Sequence, residues 1–575
     1  MRFLKFLFLL ISTSMFSQIT VTLQTPFEKG NGNQTTTYQQ CINYYQNLDA
    51  DFETIKVIEM GLTDSGEKLQ VVLFDKDKKF NFDASSKKAV ILINNGIHAG
   101  EPDGIDATMQ FYRDLATDKL KNPDNVILVA IPVYNIGGFL NRNSTTRVNQ
   151  NGPEEYGFRG NARNFDLNRD FIKSDTKNTK SFVEIYHTFN PDIFIDNHVS
   201  NGADYQYTLT YIMTEPKKLG TTLGNFMRDK LSPSILKELQ QKKIETTPYV
   251  NIWKGTPENG FEQFFDSPRY ATGYTSLFNS IGFVVETHML KKYAERVKVT
   301  YEFMVATMNY TNENYKTIKE KRIENENQFK PNDTYTLKWA IDTTKVTKIP
   351  FLGYEGSYKK SDVTTGKRLF YDRTKPYKKE IPFLADYKSA KEIIIPNAYV
   401  IPQGFWPVID LLKLNKIAFS KIKNDTIIEV ESYKIVDYKT SKNAYEGHYP
   451  HNATTITKSI VKMLFIKGDY IVSTAQKGVK FLLETLEPDA VDSYFNWNFF
   501  DTILQQKEGY SEYVFEDLAN DYLNKNPKLR EQLEQKKKDN KAFAENPEAQ
   551  LEWVHKNSIY YEKAHLQYPI YRVLN

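Results

Sequence analysis

Two residues three positions apart, His98 and Glu101 in Asn94-Asn-Gly-Ile-His-Ala-Gly-Glu-Pro-Asp-Gly104, could close on one divalent cation. An imidazole and a carboxylate suit zinc, which in catalytic sites takes three protein ligands and leaves a position open for water. With 8 histidines and 71 acidic residues in 575, about one such pair arises by chance, so the pair needs a third ligand before it carries weight. His198 supplies one. It ends the run Asp192-Ile-Phe-Ile-Asp-Asn-His198 and is followed by Val-Ser-Asn-Gly, polar company unlike that of a core histidine. Glu286 adds a second kind of chemistry. It interrupts the apolar run Gly282-Phe-Val-Val-Glu-Thr-His288, where a buried carboxylate is costly unless it is paired or coordinates something. Desolvation there would raise its pKa towards the range useful for proton transfer.

These side chains need elements to hold them. Ala89–Ile93 is a short apolar run rich in β-branched residues, the pattern of a strand buried on both faces of a parallel sheet. It stops at the turn signal Asn94-Asn95-Gly96 and then delivers His98 and Glu101. Ile105, Met109, Phe111, Tyr112 and Leu115 mark a helix packed on that sheet. Lys68–Phe74, Asn125–Tyr134, Asp192–His198 and Gly282–His288 read as further strands, and Tyr38–Tyr45 and Lys180–Phe189 as helices. Alternating strands and helices predict an α/β fold with a mixed, mostly parallel sheet flanked by helices, which binds ligands at the carboxyl ends of its strands. His98, Glu101 and His198 all fall there. Asn135 to Asn168 is a long loop with four arginines, a length that is usually functional or disordered. Val297, Tyr301, Met304 and Met308 repeat at helical spacing, predicting a closing helix that dissolves into the charged run Lys316–Gln328, the expected linker.

At 575 residues the chain is too long for one ordinary core, and 40% hydrophobic with 25% charged residues is the composition of a soluble globular protein. A net charge of +4 with both signs interspersed leaves no nucleic-acid footprint. Met1 to Gln18 has a basic start, a short apolar run and a small-residue exit, the order of a secretory signal too short to remain as a membrane span. Cys41 is the only cysteine, so no intramolecular disulfide forms. The expected organisation is a signal at 1–17, a catalytic domain at 18–325 and an accessory domain at 326–575, in an exported protein. Oligomeric state is not legible.

The second half reads as another α/β or α+β domain. Strands are expected over Thr334–Ile341, Lys391–Pro396, Thr426–Val436 and Lys462–Ser473, and helices over Trp406–Leu414, Gly478–Leu486 and Pro527–Phe543. His448-Tyr-Pro-His451 reads as a loop without a third ligand. Phe495–Tyr510, aromatic and polar together, reads as a domain interface.

His98-x-x-Glu101, Asp166-Leu-Asn-Arg169, His198 and the strand carrying Glu286 follow one another in an order that resembles the zinc metallocarboxypeptidases of the carboxypeptidase A type. The resemblance spans roughly Tyr38 to Tyr315 and rests on several motifs in sequence, more specific than any one alone. It implies a carboxypeptidase-like fold and a single zinc ion bound by His98, Glu101 and His198. It implies that Asn168 and Arg169 hold the terminal carboxylate of a peptide substrate, that Asp166 orients the first zinc histidine, and that Glu286 is the general base. An arginine that polarises the scissile carbonyl is matched by Arg147, with Arg142 as rival, and a mobile tyrosine by Tyr270 or Tyr274. The alternatives are a zinc amidohydrolase acting on acylated amino acids or cell-wall peptides, and a non-catalytic binding protein on the same scaffold.

Overall fold

The computed structural model describes residues 23–83 and 86–574. The expected signal at 1–17 lies outside them. Among the described residues the first half contains nine strands: β1 (Ile55–Leu62), β2 (Lys68–Phe74), β3 (Ala89–Asn95), β4 (Val126–Ile131), β5 (Ile193–Ser200), β6 (Leu209–Met213), β7 (Thr246–Pro248), the two-residue β8 (Phe261–Glu262) and β9 (Ile281–His288). All but β8 form one mixed sheet in the order β1-β2-β4-β3-β5-β9-β6-β7. Its centre is parallel, β3 pairing with β4 and β5, and β5 with β9. The antiparallel pairs lie to either side.

The uniformly apolar runs form the centre because only there are both faces of a strand covered. Every residue of β3, β4 and β5 is buried. Alternation along β5 shows what covers each face. Phe194 packs edge-on against Phe182 of the helix Lys177–Phe189, ring centroids 5.8 Å apart. Asn197, on the other face, donates to Asn95 at 2.7 Å and lies against Met304 of the helix Tyr293–Glu326. Helices thus flank both faces, and the helix Asp103–Ala116 packs on Tyr293–Glu326.

The expected linker is a correction. The closing helix does not dissolve at Lys316 but runs on to Glu326, with a single non-helical residue at Asn314. The charged run hides a buried face that the charges mask: Ile318 and Asn325 are fully buried, and Arg322 pairs with Asp192 at 3.0 Å.

Beyond Glu326 the chain is α+β. The strands Thr334–Ile341 and Trp406–Leu414 helix fall where expected, but Lys462–Ser473 is broken by a turn between Phe465 and Tyr470. A long hairpin, Thr347–Lys360 with Lys367–Leu384, has no counterpart in the expected elements and joins β8 through Phe383 and Leu384. Its tip is exposed and charged, so it lacks the alternation that marks a half-buried strand. A second long hairpin, Thr426–Thr440 with His451–Phe465, ends a six-stranded sheet. Within the tract Phe495–Tyr510, Phe495, Trp497 and Phe500 are buried and the end beyond Leu504 is largely exposed. One apolar core runs from Phe27 to Ile570 through both halves.

Candidate active site

The carboxyl ends of β3, β5 and β9 and the loops beyond them enclose a cavity of about 470 Å³ lined by His98, Glu101, His198 and Glu286. The turn after β3 presents the first two, Glu101 N–H donating to His98 O at 2.9 Å. Gly100 between them permits the turn's packing, since a Cβ there would stand 2.5 Å from Arg147 and 2.8 Å from the Gly157 carbonyl. His198 stands on the same face of β5 as Asp196, two residues earlier. Glu286 is register-paired with His198 on the neighbouring strand, which sets both on one face.

One donor atom from each of His98, Glu101 and His198 lies within 4.8 Å of the others. His198 Nδ1 lies 3.1 Å from Glu101 Oε2, and His98 Nδ1 3.2 Å from Oε1. That His98 nitrogen is buried and makes no hydrogen bond. The opposite nitrogen of each ring is held by a carboxylate. His98 Nε2 lies 3.0 Å from Asp166 Oδ1, and His198 Nε2 lies 2.8 Å from Asp196 Oδ2. Asp196 is itself fixed by Asn94 of β3 at 3.0 Å. Carboxylate-backed imidazoles whose free nitrogens converge with a third carboxylate make a donor set that fits one zinc ion.

Charge around the cluster is tightly balanced. Burial alone would raise the Glu101 carboxyl, but His98, Arg147 and His198 hold it well below its ordinary range. Burial likewise opposes ionisation of Asp166, yet His98, Arg159 and Arg169 hold it far below the usual carboxylate value. Glu286 goes the other way. Desolvation, with Glu101 and Asp196 adding to it and His198 opposing, pushes it up to about 8.

Asp166 opens a short turn, Leu167–Arg169, accepting from Asn168 N–H at 3.0 Å. Asn168 Oδ1 accepts from Ala271 N–H at 3.2 Å, and the Arg169 guanidinium lies over the Tyr270 ring at 4.6 Å. Asn168, Arg169 and Tyr270 all line the cavity. Tyr274 does not: it is fully buried and donates to Asn415 at 2.6 Å. Arg147 lines the cavity and pairs with Glu101 at 3.0 Å. Arg142 points elsewhere, donating to Thr36 O at 3.0 Å.

Two residues of the site were missed in the sequence. Arg159 lines the cavity and grips Asp166 Oδ2 through two nitrogens at 3.0 and 2.8 Å. Its only signal was its place among the loop arginines. Asp196 was legible as part of an apolar strand that ends in polar residues, but nothing in the sequence shows it behind His198. His448 and His451 do not converge: His448 pairs with Asp175 at 2.8 Å and His451 with Asp501 at 2.9 Å.

Residues 41–212 match the family model described as zinc carboxypeptidase. Carboxypeptidase 2 of Trichophyton rubrum is 20% identical over 459 residues, covering 75% of this chain and 78% of its own. Carboxypeptidase 2 of Trichophyton tonsurans is 22% identical over 456 residues, with the same shares covered. Among solved structures, a metallo-carboxypeptidase from Burkholderia cenocepacia has 14% identity and a TM-score of 0.36, covering 48% of this chain and 70% of that one.

Proposed function

We propose that this chain, whose residues 41–212 match the zinc carboxypeptidase family model, is an exported enzyme that releases amino acids from peptides carrying a free C-terminal carboxylate. One observation carries the reading: Asn168 and Arg169 face the same cavity as His98, Glu101, His198 and Glu286. A grip for a carboxylate therefore stands beside a cation site and a base. Zinc bound by two histidines and a glutamate keeps a position open for water and lowers that water's pKa towards neutrality.

The remaining roles belong to the chain. Glu286, half-buried at the cavity wall, is the general base: its ionised form accepts a proton from the attacking water and returns it to the leaving amine. Arg169 offers a planar fork that pairs bidentately with a carboxylate, favouring a chain end over an internal bond. Arg147 is the proposed partner of the oxyanion. Arg159 is its rival on geometry, because its side chain is 44% exposed while that of Arg147 is 12% exposed and engaged by Glu101. Tyr270, stacked on Arg169, is the tyrosine of the site. Support for export is the pattern of Met1–Gln18, and among the described residues no helix is long and apolar enough to cross a membrane.

Paired peptides with free and amidated C-termini test this reading. Arg169→Ala should lower kcat/KM on the free acid by about a hundredfold, the scale of a lost charge-assisted pair, and leave the amide nearly unchanged. Equal losses on both would remove Arg169 from carboxylate recognition. Failure to release any free C-terminal amino acid across a peptide panel would favour the amidohydrolase alternative.

A further inference from the structure

The turn that carries Asn168 and Arg169 is held from the far half of the chain. The hairpin Thr426–Thr440/His451–Phe465 ends in a small subsidiary turn, in which Tyr445 and His448 exchange backbone hydrogen bonds at 2.8 and 3.1 Å. Its two central residues, Glu446 and Gly447, both have left-handed backbones, φ 50° and 79°. A two-residue turn of that kind favours asparagine or glycine at its first position, so a glutamate there carries a local conformational cost. Such strain persists where the surroundings demand that residue.

The surroundings show the demand. The half-buried Glu446 accepts from the Asp166 N–H at 2.8 Å across a sequence separation of 280 residues. Gly447 lies against Phe165, the residue before Asp166, so closely that a Cβ would stand 3.0 Å from the ring. His448 pairs with Asp175 at 2.8 Å on the outgoing side of the same segment. A second grip lies opposite. Asp492, fully buried, accepts from both the backbone and the guanidinium of Arg269, at 3.0 and 2.7 Å. Arg269 precedes Tyr270, on which Arg169 rests, and its guanidinium covers the rings of Tyr445 and Trp497.

We propose that the Glu446–Gly447 turn is a positioning device for carboxylate recognition, fixing the backbone of Asp166 and, through it, the aim of Asn168 and Arg169. The terminal-carboxylate preference of the site is then set by the second half of the chain. The inference rests on the role given above to Asn168 and Arg169. Glu446 touches no substrate; it acts on the turn.

The test is the ratio of kcat/KM for a free-acid peptide to that for its amide, measured with bound zinc and thermal unfolding in the full-length enzyme. Glu446→Ala should reduce the ratio about tenfold by raising KM for the free acid, the scale expected when a backbone donor loses its partner. The kcat, zinc content and Tm should hold. Glu446→Gln keeps an acceptor oxygen and should restore the wild-type ratio. Gly447→Ala, which pushes the turn off Phe165, should reproduce the Glu446→Ala signature. A wild-type ratio in both Glu446→Ala and Gly447→Ala would overturn the positioning role while leaving the function of Arg169 intact. Losses that fall equally on acid and amide, or that follow zinc content or Tm, would reduce the turn to a structural support and also overturn it. A wild-type enzyme without preference for the free acid would overturn both the turn's role and that of Arg169.

Discussion

Glu286 shares its wall of the cavity with His198 but not its task. Desolvation pushes its carboxyl up to about 8, and a cation at the neighbouring His98–Glu101–His198 cluster would pull it back towards the ionised form that a base needs. Glu286→Gln preserves shape and removes the basic site, so turnover should fall by about 10²–10⁴-fold, the usual weight of general-base catalysis, while zinc stays bound. Metal analysis alongside peptide hydrolysis reads both, and a fully active variant would take Glu286 out of the mechanism. At this scale the sequence was legible where a functional residue interrupts a pattern. His98, His198 and Glu286 each stand where an apolar strand ends or is broken. Arg159 was not legible because its hold on Asp166 depends on the path of the loop, and Asp196, though on the same strand face as His198, carries no mark that separates it from any other strand-end carboxylate. Tyr270 and Tyr274 could not be separated by position, four residues apart; packing separates them, one ring at the cavity and one in the core.

The helices that brace the sheet are tied by buried acidic groups. Asp103 accepts from Arg296 at 2.8 Å, and the Tyr293 hydroxyl donates to Asp106, joining the helix Asp103–Ala116 to Tyr293–Glu326. Desolvation, with Asp103 adding to it, pushes Asp106 up to about 6. Because the folded protein keeps this proton where the unfolded chain releases it, the linked stability is full below the unfolded pKa. It is lost as pH rises through about 6. Asp106→Asn should therefore flatten the fall in stability between pH 4 and 7 by on the order of 3 kcal/mol, read from denaturant unfolding at each pH. An unchanged pH profile would show that Asp106 ionises normally. Among elements, the strands of the sheet centre were legible because burial on both faces demands continuous apolar runs. The end of the helix Tyr293–Glu326 was not, since Ile318, Arg322 and Asn325 contribute one buried residue per turn under a charged surface. The hairpin Thr347–Leu384 was hidden for a related reason: its outer stretch is largely exposed and charged on both faces.

Across the whole molecule the two halves of the chain share one apolar core among the described residues. Phe278 meets Phe481 with ring centroids 5.6 Å apart, and the buried Lys480 ammonium donates to the carbonyls of Leu219 and Ser276 at 2.9 and 2.6 Å. Sharing a core couples the halves, so calorimetry should show one cooperative transition and not two. Two separated transitions would mean that the halves are independently stable. A chain ending at Glu326 would expose the surface now covered by Phe481 and Trp497, and should be insoluble when expressed alone. The change of composition after Asn332 was legible, but not the contacts of that later segment with the Asp166–Arg169 turn, because Glu446 and Asp492 sit in segments with no motif of their own. His98, Glu101 and His198 together could hold one cation, and the proposed activity depends on it. The direct measurement is zinc content and release of C-terminal amino acids, followed together in the wild type and in His198→Ala. The wild type should carry one ion per chain and lose activity to a chelator and regain it with zinc, and His198→Ala should show neither ion nor activity; undiminished hydrolysis by metal-free protein would rule the metal out of the reaction.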